Sequence, residues 1–158
     1  MKKQLLLFAF SALALTSCED DDIKAYELDI MKGDWKVSKI EYISGKDNKT
    51  VIQTEIPDDC AAKSVITFRT DYIVKYVAYS GTADNCQISD TSEGTYTYNE
   101  ETKDLNLKFS EEGEQKYRVT VLTSKELKLM QVIDIDLPIP LDFDGDGISD
   151  NIYVSYKR

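Results

Sequence analysis

The chain has 158 residues, 29 acidic and 19 basic side chains, a net charge of −10, no histidine and three cysteines. An acidic surface of this kind repels phosphate, so nucleic acid is not an expected partner. Without histidine, no Ser-His-Asp or Cys-His nucleophile and no histidine-ligated zinc or non-haem iron site can be assembled. The seven glycines form neither a G-x-G-x-x-G nor a Walker loop. A carboxylate pair for glycoside hydrolysis survives the composition, but nothing singles out two of the acids, and no enzymatic activity is expected.

Met1-Lys2-Lys3, an apolar run from Leu5 to Leu15 and the small residues before Cys18 describe a secretory signal peptide over residues 1–17. Its apolar part is too short to span a bilayer as a helix. The cut site Leu15-Thr16-Ser17-Cys18 resembles a bacterial lipobox. That resemblance implies that Cys18 becomes the N-terminus and carries a diacylglyceryl thioether, usually with an acylated amine. Two or more acyl chains hold a protein stably on a membrane, where one does so only marginally. Glu19, Asp20, Asp21 and Asp22 repel one another and stay extended, so residues 18–27 read as an acidic tether. Four acids directly behind a lipid cysteine resemble the export signal of Bacteroidetes surface lipoproteins, which implies an outer-membrane protein displayed at the cell surface.

About 140 residues remain after the cut, enough for one domain, over 28–158, and too few for two. Tyr26 to Met31 can form a short helical turn. From Gly33 onward the apolar pattern has period two, interrupted by turns. Trp35 and Val37 share one face, and Ile40 and Tyr42 resume it one position late, which predicts a β-bulge near Ser38 or Lys39. Asp58 to Lys63 can form a second helical turn. Further strands are expected over Ser64–Arg69, Tyr72–Tyr79, Gly94–Tyr98, Leu105–Phe109, Tyr117–Val121, Leu127–Ile133 and Ile152–Tyr156. Leu105, Leu107 and Phe109 alternate with Asp104, Asn106 and Lys108, the clearest half-buried strand. Tyr72 to Tyr79 is apolar or aromatic on both faces, so it is covered on both sides or lines a cavity. In an exported protein Cys60 and Cys86 default to a disulfide, which would stabilise the fold by about 3 kcal/mol. A thiol nucleophile would need a neighbouring base, and histidine is absent.

Eight or nine antiparallel strands with short connections suit an all-β, up-and-down barrel or a related sandwich. Gly33-Asp34-Trp35, behind Leu28 and Ile30, resembles the G-x-W start of lipocalins. Cys60, Ile66-Thr67-Phe68, Cys86, Gly94-Thr95-Tyr96-Thr97-Tyr98, Leu105-Asn106-Leu107 and Leu122-Thr123-Ser124-Lys125-Glu126-Leu127 follow in the order typical of bacterial lipocalin-like lipoprotein domains. The resemblance runs from Leu28 to Met130. It implies a barrel whose closed end is plugged by Trp35 and whose open end holds a ligand. After Met130 the chain departs from the pattern with an acidic, proline-containing insertion.

Asp142-Phe143-Asp144-Gly145-Asp146-Gly147-Ile148-Ser149-Asp150 places carboxylates at alternate positions of a tight loop, a donor set that suits calcium. Asp142, Asp144 and Asp146 would offer carboxylates, Ile148 its backbone carbonyl, and Asp150 a direct or water-mediated bond. Gly147 permits the reversal, and the Ile148 side chain would anchor the loop to the core. The motif resembles the calcium loops of EF-hands, dockerins and thrombospondin type-3 repeats. It departs from an EF-hand in two ways: Tyr153 stands where the bidentate Glu belongs, and Leu137-Pro138-Ile139-Pro140 replaces the entering helix. The missing ligand falls to Asp134, Asp136 or water, which implies weak affinity, on the order of 10⁻⁴ M. The competing reading is an Asx-rich turn without metal. Mutual repulsion of three close carboxylates favours calcium, and magnesium's stricter octahedron disfavours that ion. The inferred role is structural, a clamp on the final strand.

The leading function is binding of a small apolar or amphipathic ligand. Tyr72, Tyr76 and Tyr79 are candidate contacts, since a tyrosine joins an apolar ring to a hydrogen-bonding tip, although strands favour aromatics in any case. The alternative is a surface-displayed structural or interaction module beside an outer-membrane complex, its barrel filled by its own side chains. A continuous apolar cavity discriminates between the two.

Overall fold

The computed structural model describes residues 27–82, 84–110, 113–133 and 141–158. The expected signal peptide over 1–17, the lipid cysteine Cys18, the tether as far as Tyr26, and Asp134 and Asp136 lie outside the described residues. The period-two alternation becomes nine strands: β1 (Gly33–Ile43), β2 (Val51–Glu55), β3 (Val65–Phe68), β4 (Ile73–Thr82), β5 (Asn85–Asn99), β6 (Asp104–Phe109), β7 (Gly113–Leu122), β8 (Glu126–Gln131) and β9 (Asn151–Lys157). Strands β1 and β3 to β9 pair antiparallel in chain order, and β9 returns to β1 to close an eight-stranded barrel.

Strand β2 is the extra one. It pairs with Ile40–Ile43 of β1, on the edge whose first residues, Gly33–Lys36, pair with β3. It is absent from the strands expected above because its residues are largely exposed and neither face shows an apolar period. Opposite β9, β1 breaks register between Val37 and Lys39. The bulge falls at Ser38, whose hydroxyl donates to the Ser155 carbonyl at 3.0 Å. It keeps Trp35, Val37 and Ile40 facing inward. Glu41 then faces out across the closing seam, where it accepts from Lys39 at 2.7 Å and Lys128 at 2.9 Å.

One end of the barrel is solid. Trp35, Phe68, Val74, Tyr96, Leu105, Leu127 and Leu129 pack there with Met31, each at most 2 % exposed. Burying a side chain of this size stabilises the fold by roughly 1.5–3 kcal/mol. The helical residues 27–31 lie across this end. Trp35 Nε1–H donates to the Met31 carbonyl at 2.8 Å, and the Arg158 guanidinium stacks on the Trp35 ring at 4.1 Å. Arg158 also donates to the carbonyls of Lys32 (2.7 Å), Ser124 (2.8 Å) and Ile30. Glu27 accepts from the Tyr98 hydroxyl at 2.8 Å and from Lys103 at 2.7 and 2.8 Å. Burial works against charge on Glu27, but Lys103 and Tyr98 outweigh it and hold its carboxyl below the usual range. Burial and then the Glu27 carboxylate push the Tyr98 hydroxyl well up.

The β4–β5 hairpin runs past the barrel wall. Gly94–Asn99 of β5 pair with β6, whereas the earlier residues of β5 pair with β4 alone. The Cys60–Cys86 disulfide is present, with Cα atoms 5.2 Å apart. It fastens the segment before β3, including the 3₁₀ turn Ala61–Lys63, to this hairpin.

Candidate functional site

Beyond the plug the barrel is hollow. A cavity of about 480 Å³ occupies the other half, within the usual range of small-molecule sites. Val37 and Ile40 of β1, Ile66 of β3, Leu107 and Phe109 of β6 and Val154 of β9 form its apolar wall, with Ile56 and Pro57 after β2 and Ala61 of the 3₁₀ turn. Its polar side chains are Glu55, Ser64, Gln115, Tyr76, Tyr117 and Tyr156. The Tyr117 hydroxyl donates to Gln115 Oε1 at 2.9 Å. The hydroxyls of Tyr76 and Tyr156 have no hydrogen-bond partner among the described residues. Burial, then the neighbouring Tyr117 and Tyr76, push the Tyr156 hydroxyl well up, so it remains a neutral donor and acceptor.

Of the three tyrosines expected to meet a ligand, Tyr76 lines the cavity and the other two do not. Tyr72 sits in the turn before β4 at φ +61°, half-exposed and 5.6 Å from the Tyr96 ring. Tyr79 follows a register break between Ala78 and Tyr79, past the end of β3, and its amide donates to Ser64 Oγ at 3.0 Å. Tyr117 and Tyr156 take their places. Both sit on the inward alternation already visible in the sequence, at Tyr117-Val119 and Val154-Tyr156.

The loop 141–150 rests on the connection between β1 and β2. Phe143 packs edge-on against Tyr42 with ring centroids 4.5 Å apart. Asp150 is 2 % exposed and accepts from the amides of Gly45 (3.0 Å) and Phe143 (2.6 Å). A side chain at position 45 would come within 2.0 Å of the Ser149 carbonyl oxygen, so glycine there lets the loop sit down. Asp142, Asp144 and Asp146 each offer an oxygen within 4.8 Å of the others. Two oxygens on one calcium ion lie at most about 5 Å apart, so these three fit a common ion. Asp142 also accepts from the amides of Gly145 and Gly147 at 2.7 and 2.8 Å, the pattern of an Asx turn. The Gly147 amide above all holds its carboxyl below the usual range.

Asp150 is not part of that cluster, since amides engage both of its oxygens. Ile148 and Phe143 are both 45 % exposed, so neither side chain is buried in the core, although the Phe143 ring packs on Tyr42. Asp150 and Phe143 do the anchoring.

A family model for the lipocalin-like domain matches residues 31–129. The chain belongs to the lipocalin-like domain family. No curated protein matches it. Among solved structures this lipocalin-like domain is similar to the bovine lipocalin allergen Bos d 2, at 13% identity over 83% of this chain and 74% of that one, with a TM-score of 0.42. It is similar to aphrodisin, a sex pheromone from female hamster, at 14% identity over 81% and 74%, TM-score 0.39. It is also similar to a bovine odorant-binding protein in complex with a selenium-containing odorant, at 11% identity over 92% and 77%, TM-score 0.40. The matched region of the lipocalin-like domain begins at Met31 and ends at Leu129, before both loop 141–150 and Arg158. Arg158 is not among the site residues expected from the sequence, because an arginine after a strand reads as an ordinary surface charge until Trp35 is found beneath it.

Proposed function

We propose that this lipocalin-like domain holds a small apolar or amphipathic ligand in the open half of its barrel. The observation that carries the proposal is the cavity of about 480 Å³ with a largely apolar wall and a few convergent polar groups. Lipocalin-like domains generally bind small hydrophobic ligands, and catalysis is not part of this reading. With about 30 Å³ for each water in the liquid, the space suits a ligand of about fifteen to twenty non-hydrogen atoms. Two tyrosine hydroxyls stand ready to bond its polar group. An interaction module with a filled barrel accounts for none of this.

The proposal extends to the cell envelope. The chain is read as a lipoprotein anchored through Cys18 in the outer membrane and displayed at the cell surface, on the strength of the Leu15-Thr16-Ser17-Cys18 cut site and the acids behind it. Among the described residues no helix is long and apolar enough to cross a membrane. Calcium is proposed as a structural ion on Asp142, Asp144 and Asp146, supported by their mutual spacing. Native mass spectrometry of protein purified without chelator tests the central claim. A non-covalent mass in the hundreds of daltons, apart from any calcium, is expected. Protein that carries no such mass and takes up no neutral apolar fluorophore would sink the ligand reading.

A further inference from the structure

We infer that the cavity selects by charge, accepting neutral and cationic amphiphiles and refusing carboxylates, with Glu55 as the deciding residue. The inference rests on the ligand-binding reading above. Among the described residues Glu55 is the one charged side chain on the cavity wall, and no lysine or arginine lines it. The barrel's alternation produces this. Lys36 lies between Trp35 and Val37, Lys75 between Val74 and Tyr76, Lys108 between Leu107 and Phe109, and Lys116 between Gln115 and Tyr117. Each lysine of these wall strands therefore points outward, because neighbouring residues of a strand face opposite sides. Lys63, close in sequence to Ala61 and Ser64, instead brings its ammonium 3.3 Å from Cys86 Sγ.

Glu55 is exposed and sits at the end of β2. Gln53 Nε2 donates to its Oε1 at 2.9 Å, and the Tyr42 hydroxyl stands near it. These neutral neighbours leave its charge uncancelled, and no cation pairs with it among the described residues. A fatty carboxylate entering this space loses hydration, meets no cation and faces a like charge. The hydroxyls of Tyr76 and Tyr156 offer it hydrogen bonds but no counter-charge, and they serve an alcohol or a carbonyl equally well. An ammonium head group meets Glu55 at the mouth while its chain fills the apolar wall.

The test is displacement of the neutral fluorophore N-phenyl-1-naphthylamine from the purified protein by dodecylammonium, dodecanol and dodecanoate, which share a chain and differ in charge. Dodecylammonium is expected to displace the probe at about one tenth the concentration dodecanoate needs at low salt, with the ratio shrinking as salt rises. Glu55→Gln should cut that ratio at least threefold, and Glu55→Lys should invert it. Dodecanoate displacing a normally bound probe as readily as dodecylammonium would overturn the charge inference and leave ligand binding standing. A ratio untouched by both substitutions would remove Glu55 from the role. Failure of the wild-type protein to take up the neutral probe would overturn the binding reading, and this inference with it.

Discussion

Arg158→Ala tests whether the closed end is held from below. The guanidinium stacks 4.1 Å from the Trp35 ring and donates to the carbonyls of Ile30, Lys32 and Ser124. It thus joins residues 27–32 to the turn before β8 across the base of the plug. Hydrogen bonds of this kind contribute about 0.5–1.5 kcal/mol each, and the exposure of Arg158 puts them in the lower half of that range. The stacking adds about 0.5–1 kcal/mol at an exposed site. The sum is about 2–4 kcal/mol, or a melting temperature lower by roughly 6–16 °C for a domain of this size. Arg158→Lys keeps the charge but loses the planar fork that reaches several carbonyls at once, so it should recover less than half of the loss. Thermal unfolding by circular dichroism gives the stability. Trp35 is the chain's single tryptophan, so its emission reports on the same site and should shift to the red as the plug loosens. A melting temperature within 2 °C of wild type, with unshifted emission, would refute the reasoning. A lysine variant as stable as wild type would reduce the role of Arg158 to charge alone.

Three further outcomes are expected. Asp144→Ala should lower stability by about 2 kcal/mol in calcium at roughly fifty times a dissociation constant of 10⁻⁴ M and change little in EDTA; equal losses under both conditions would remove the metal. Replacing Cys60 and Cys86 together by serine should cost about 3 kcal/mol, from a loop closed across 26 residues, read as a lower denaturant midpoint; an unchanged midpoint would show that the bridge restrains nothing. Glu27→Gln should be less stable than wild type at pH 7, because the folded pKa of Glu27 lies below its ordinary value. That contribution is complete above the usual glutamate range and fades as pH falls through the folded value. The gap between the two proteins should therefore close in acid, and a gap that is constant from pH 7 to pH 3 would separate Glu27 from the effect.

The barrel was legible because most of its strands have one wet face and one dry face. Leu105, Leu107 and Phe109 show this best, and the late resumption of the pattern at Ile40 predicted a bulge near Ser38 or Lys39, which the fold has between Val37 and Lys39. The upper half of β5 was not legible, and the reason is physical. It pairs with β4 alone and is mostly exposed on both faces, so Asn85 to Glu93 carry no apolar period. Strand β2 is hidden for the same reason. The metal-like cluster was legible as spacing, yet Asp150 reads in sequence as one more ligand. Only the fold brings the Gly45 and Phe143 amides to its two oxygens and makes it an anchor.

The cavity itself could not be read along any single strand. Leu105 and Leu107 are successive inward residues of β6, identical in type, yet one packs in the plug and the other also lines the cavity. What separates the two levels is the volume arriving from the other strands. In the plug Leu105 packs in one buried cluster with Trp35, Phe68 and Tyr96, and this end is full. Around the cavity the barrel receives Val37, Ile40, Ile66 and Val154, together with Phe109 and three tyrosines, and these line a space of about 480 Å³ without filling it. Whether the barrel is hollow is thus a property of a layer, summed across strands far apart in the chain. The sign of the charge inside is different. Period two sets which side of each wall strand the lysines fall on, but Glu55, the charge itself, stands at the end of β2, whose exposed residues carry no apolar period. The sequence alternation can therefore keep lysine off the wall, but only the fold brings the Glu55 carboxylate to the cavity and leaves room beside it.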